Sequence, residues 1–288
     1  MSTRTHPSAT RTAPLTGTPA ASVPGSPALV RVLVEHALRM QWRAVVIWGL
    51  ALGALSALIV GIYPSFGSDF DELLQQYPQG MLDFLGSSQV GTIEGFLALE
   101  VFSMMAPLLL AGYAIVMASR SLAGAEERGT LDVLLSNPIS RRQLVVSSFL
   151  TIALALLGVL LILGGLTWIT ALIAGVDLPF SSLADGVGNL LPLCLFFGGL
   201  ALLVSALAHR GMLATAIPVG VLVAMYFLDA LSNMSGTIEP LRILSAFHYY
   251  GSAIENGIDW PNAFGLTALG VVFMVLATVA FDRRDLYT

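Results

Sequence analysis

Few side chains in this 288-residue chain could do chemistry, and their types limit what that chemistry could be. The adjacent acids Glu126 and Glu127 could exchange protons with a substrate or water. Glu100 and Asp229 are isolated carboxylates inside apolar runs, where ionisable groups are costly and commonly face a cavity or a partner. The four histidines (His6, His36, His209, His248) are far apart in sequence. Met104-Met105 could bind a soft metal, but two methionines in an apolar helix more often face lipid or core. Cys194 is the single cysteine and sits in an apolar run, so the chain has no internal disulfide and no thiolate cluster. All 13 basic residues are arginine. Without lysine the chain cannot form a P-loop phosphate site or a Schiff base.

The elements that must position these residues belong to a membrane. Apolar residues make up 56% of the chain before glycine is counted, and charged residues only 11%. Globular domains have about 45–50% apolar with glycine included and about 25% charged. The mean hydropathy is +0.82. We read an all-α integral membrane protein.

Residues 1–27 are rich in Ser, Thr, Ala and Pro with no apolar core. They read as a disordered cytoplasmic tail rather than a signal peptide. In 28–43, Arg31, Glu35, Arg39 and Arg43 recur every fourth residue beside Leu29, Val30, Leu33, Val34, Ala37 and Met40. Such a helix can lie in the bilayer interface, anchored by Trp42 and Trp48. The alternative is an extension of the first span. A six-span domain then fills 44–288, with apolar runs at about 44–63, 96–118, 144–173, 187–208, 212–231 and 263–281, each near the ~20 residues a bilayer requires. The third run, about 45 Å as a helix, must project, tilt or bend, with Gly164-Gly165 as the candidate bend.

The arginines set the orientation. With six spans, Arg4, Arg11, Arg31, Arg39, Arg43, Arg120, Arg128, Arg141, Arg142, Arg210, Arg283 and Arg284 fall on one side. The opposite loops hold Arg242 and ten acids, among them Asp69, Asp71, Glu94, Asp177, Asp185, Glu239 and Asp259. By the positive-inside rule both termini are cytoplasmic.

The longest cytoplasmic connection, Ser119 to Gln143, contains EERGTLDVLLSNPISRR. Leu131, Leu134 and Leu135 fall on one face of a short helix, Asn137-Pro138 ends it, and Ser140 can cap the next. A leucine face in this place must lie flat on the bilayer or enter a partner's groove; the pattern alone leaves both open. The loop between spans five and six, 232–262, holds Ile243, Phe247, Tyr250 and Ile254 at helical spacing, which suits helices dipping into the outer leaflet.

The 126–141 segment resembles the cytoplasmic signature of permease subunits of type-2 ATP-binding-cassette (ABC) exporters: an acidic pair, then Gly-Thr-Leu-acidic-x-Leu-Leu, then Ser-x-Pro-Ile/Val-Ser-Arg. It maps onto Glu126, Glu127, Gly129, Thr130, Leu131, Asp132, Leu134 and Leu135, then Ser136, Pro138, Ile139, Ser140 and Arg141. The likeness extends to the amphipathic elbow, the six-span layout, LSAFHYY (244–250) and the FDRRDL ending (281–286). Ala246 stands where the family usually has proline.

The resemblance implies a non-catalytic permease that lines a translocation path and works with two copies of a cytoplasmic ABC ATPase and a second permease, identical or closely related. Residues Glu126, Glu127, Arg128, Gly129, Thr130, Leu131, Asp132, Leu134 and Leu135 would form the coupling helix seated on the ATPase. ATP and Mg would be bound by that partner; this chain would bind no cofactor, metal or nucleic acid. The setting implied is the plasma membrane of a prokaryote, with a hydrophobic small molecule or drug as default cargo. Glu100 and Asp229 are candidates for the translocation path. For Glu100, a carboxylate reaching toward headgroups is the commoner explanation.

Two rival classes are weaker. An intramembrane protease of the Glu-Glu-x-x-x-Arg type would need arginine where Leu131 stands, and no Gly-x-Ser-Gly run marks a serine protease within a span. A self-contained secondary transporter usually carries midplane ionisable residues and internal repeats. Here four spans hold no charge and the two halves show no evident repeat.

Overall fold

The computed structural model describes residues 26–66, 92–127, 129, 140–208, 210–233 and 239–283. Every regular element among them is helical. The first, α1, is one helix from Ser26 to Phe66. The interfacial segment 28–43 is therefore not a separate elbow. No glycine or proline interrupts the passage from Arg43 into Ala44, so the helix continues where the hydropathy changes.

The second span is composite. Helix α2 (Ile93–Leu97) is capped by the Thr92 hydroxyl, which accepts from the Gly95 amide. Eight residues of π-helix follow (Ala98–Met105), then α3 (Ala106–Ser121). Pro107 in the first turn of α3 has no N–H to donate backward, and π turns often occur where the ladder is so interrupted. A short helix α4 (Ala123–Glu127) continues from α3.

The third span, α5 (Arg141–Ala174), starts in a reciprocal cap. The Ser140 hydroxyl accepts from the Gln143 amide, and the Gln143 side chain accepts from the Ser140 amide at 3.0 Å. It continues through Gly164-Gly165 and ends at Gly175 with φ +67. The remaining spans are α6 (Phe180–Leu207), α7 (Gly211–Ser232) and α10 (Trp260–Asp282). Among the described residues, six helices are thus long and apolar enough to cross a membrane.

Helix α6 is the hub of the bundle, packed on α3, α5, α7 and α10. Phe197, Leu190, Leu193 and Cys194 are fully enclosed around it. At its contact with α10, Gly199 and Gly270 face each other so closely that a Cβ at either would enter the other helix's backbone. Small residues let membrane helices approach in this way. Helix α1 lies along α5, joined by the Thr167 hydroxyl donating to Ser56 at 2.8 Å.

Large apolar side chains also cover the outside of the described helices. Leu161, Ile173, Met212, Phe227, Phe264 and Val272 are all exposed, which only a lipid or protein neighbour makes affordable.

Between α7 and α10 the chain forms a 3-10 turn (Glu239–Leu244), α8 (Ala246–Tyr250) and α9 (Ala253–Asn256). The expected shared face is only partly realised. Phe247, Tyr250 and Ile254 are buried, whereas Ile243 is exposed. Gly251 and Gly257, with φ +58 and +78, break the helical path that the spacing suggested. Where proline was expected, Ala246 is buried at the start of α8, and the preceding Ser245 caps it by accepting from the Phe247 amide.

Candidate functional site at the arginine-rich end

Hydrogen bonds between helix ends show which termini lie together. The Ser119 hydroxyl, at the end of α3, donates to Ala214 O in the first turn of α7 at 2.8 Å. The Ala123 amide, opening α4, donates to the Ser205 hydroxyl of α6 at 3.0 Å, and that hydroxyl donates to Ser119 O at 3.4 Å. Arg141 Nη1 donates to Phe281 O at 3.0 Å, and Arg142 pairs with Asp282 at 2.6 Å. Arg120, Arg141, Arg142, Arg210 and Arg283 therefore share one end of the bundle with α4. Asp177, Asp185, Glu239 and Asp259 lie toward the other.

Glu126 and Glu127 are on α4, whose Ala123, Gly124 and Ala125 are buried against the bundle. The Glu127 carboxylate lies against Gly211, at the start of α7, where exposed amides favour negative charge. Gly129 has φ +66, a left-handed conformation that glycine adopts without strain and that ends the α4 direction. Arg128, Thr130, Leu131, Asp132, Leu134 and Leu135 lie outside the described residues, so the expected leucine-faced helix does too. His36 (α1) and His248 (α8) stand at opposite ends of the bundle.

One comparison bears on this geometry. Residues 33–286 match the family model described as ABC-2 family transporter protein. The chain belongs to this family. No curated protein matches its sequence. As an ABC-2 permease, it is a membrane transport subunit of a family that generally works with a separate cytoplasmic ATPase. The acids of α4 are then parts of a transport machine.

The two path candidates of this permease have different surroundings. Asp229, in the last turn of α7, pairs with Arg242 at 2.9 Å, and its side chain is only 18% exposed. This ion pair closes the outer loop onto α7 and offsets the cost of a carboxylate at membrane depth. Glu100 sits on the π segment, exposed on the surface of the chain, where lipid or another chain would meet it.

Sequence reasoning missed the polar groups that hold the outer segment. The Asn189 amide of α6 donates to Tyr250 O at 2.7 Å, and the Tyr250 hydroxyl donates to Phe102 O in the π segment at 3.0 Å. Burial pushes the Tyr250 hydroxyl well above the ordinary tyrosine range, so it remains a neutral donor. A lone Asn in the apolar run 187–208 was the available signal. The Ser119–Ser205 junction carried none, because a serine in an apolar helix commonly bonds its own backbone.

Proposed function

We propose that this chain is the membrane half of an exporter and that α4, with the segment after it to residue 135, is the seat of the ATPase. Two permeases, identical or closely related, enclose the path, and two ATPases bind their arginine-rich ends on the cytoplasmic side of a prokaryotic plasma membrane. The observation that carries this reading is the junction of Ser119, Ala123, Ser205 and Ala214. A push on α4 is delivered through it at once to spans two, four and five. Closure of the ATPase dimer on ATP supplies the push and swings the spans. No residue of the chain takes part in hydrolysis, and the default cargo is a hydrophobic small molecule.

The test is co-expression with the ATPase. Leu131→Arg and Leu134→Arg put a charge on the expected apolar docking face and should lower ATPase recovery on the permease at least tenfold, or abolish transport-coupled hydrolysis, with membrane insertion unchanged. Normal transport by both variants would overturn the assignment.

A further inference from the structure

The π segment of the second span (Ala98–Met105) leaves one carbonyl without a backbone donor, and a side chain from the outer segment meets it. The π pattern joins each amide to the carbonyl five residues back, and the Ala106 amide follows it by donating to Val101 O. The next bond would run from residue 107 to Phe102 O. Residue 107 is proline and has no N–H. The Tyr250 hydroxyl supplies the missing bond, donating to Phe102 O at 3.0 Å. In an α register the count changes by one: Ala106 would donate to Phe102 O, and Pro107 would orphan Ser103 O instead. The buried Tyr250 hydroxyl is therefore a donor that the π register needs and the α register does not.

The burial pattern shows what the π turns do. Along α3 the more exposed positions include Arg120, Val116, Gly112 and Leu109, at α spacing. The stripe then steps by five to Met104 and on to Glu100, both exposed. An α register would carry the stripe from Leu109 through Phe102 and Ala98, which are now buried, and would turn Glu100 off it. Phe102 and Ala98 are apolar, so lipid accepts them in either place. Eight residues of a helical form this rare thus depend on Pro107 and on a donor that lies outside the span. That donor is held by other helices. Tyr250 O accepts from the Asn189 amide of α6 at 2.7 Å, and the Ser245 hydroxyl, just before α8, donates to Met225 O of α7 at 2.7 Å.

We infer that the second span has two registers and that Tyr250 is a positioning residue that holds the π one, keeping the Glu100 carboxylate on the outer surface of the chain. When α6 and α7 move relative to the second span, the hydroxyl leaves Phe102 O and the segment closes to α. Glu100 then turns by roughly 100° relative to α3, one residue's share of an α turn. The inference concerns this chain alone and does not depend on the ATPase seat proposed for α4.

The full chain in phosphatidylcholine nanodiscs tests this with one nitroxide at a time, on Met104→Cys in the π segment or on Leu109→Cys in α3. Cys194 is buried and stays unlabelled. An oxygen-accessible, lipid-facing component is expected to dominate the spectrum at 104. Tyr250→Phe should raise the ratio of a second, oxygen-protected component about threefold to tenfold, as loss of one hydrogen bond does, with the label at 109 unchanged. Pro107→Ala should also populate the second component, because it completes the α ladder. Adding Tyr250→Phe to Pro107→Ala should then change the ratio less than twofold, since the restored amide meets whichever carbonyl needs it. A label at 104 that ignores Tyr250→Phe would overturn the inference. So would equal responses at 104 and 109, which mark general loosening, or an equal effect of Tyr250→Phe with and without Pro107→Ala. If Tyr250→Phe is not recovered as monodisperse protein, Pro107→Ala decides: the second component must appear there, and its absence would overturn the inference.

Discussion

Charge in this chain is scarce enough that single side chains matter. Asp229 and Arg242 come from α7 and the outer loop and form one of the ion pairs that cross between elements. Arg242→Met should lower the thermal stability of the detergent-solubilised protein by a few degrees, about 1 kcal/mol. Adding Asp229→Asn should restore most of it, because the uncompensated carboxylate is then gone. Equal losses in the single and double variants would show that the pair does not act as a unit. The carboxylates themselves were visible in the sequence, but their surroundings were not. Asp229 acquires its partner thirteen residues later, from the 3-10 turn Glu239–Leu244.

The six long helices follow the six apolar runs because a bilayer demands unbroken backbone hydrogen bonding over about 20 residues. Their ends do not follow hydropathy. Helix α6 starts at Phe180, immediately after Pro179, seven residues before the apolar run begins, because helices start where a cap or proline permits. Helix α1 extends back to Ser26 for the converse reason: no glycine or proline interrupts residues 28–48. The cap on α5 was legible in Ser140 alone. Ser140→Ala should cost about 1 kcal/mol, read as earlier fraying of 140–144 in hydrogen exchange. The Gly199–Gly270 contact was not legible, since glycine is frequent throughout these spans and only the pairing of α6 with α10 singles these two out. Gly199→Leu should separate the helices and prevent recovery of monodisperse protein, whereas Gly165→Leu, which points into open space, should be tolerated. Similar yields of both variants would refute the packing described.

At the scale of the molecule, Arg120, Arg141, Arg142, Arg210 and Arg283 gather at one end, and Asp177, Asp185, Glu239 and Asp259 lie toward the other. The cross-helix bonds of Ser119, Ala123, Arg141 and Arg142 bring together the same helix ends that the charge pattern grouped. In the proposed reading, α4, tied to three spans at the charged end, is the place from which the bundle is moved. The most direct measurement of this account is purification of the tagged chain from native membranes in mild detergent, followed by mass spectrometry and an ATP hydrolysis assay. The account requires a near-equimolar partner with a P-loop and an ATPase activity that Leu131→Arg and Leu134→Arg remove from the preparation. A stable, monodisperse particle with no P-loop partner and no hydrolysis would contradict it.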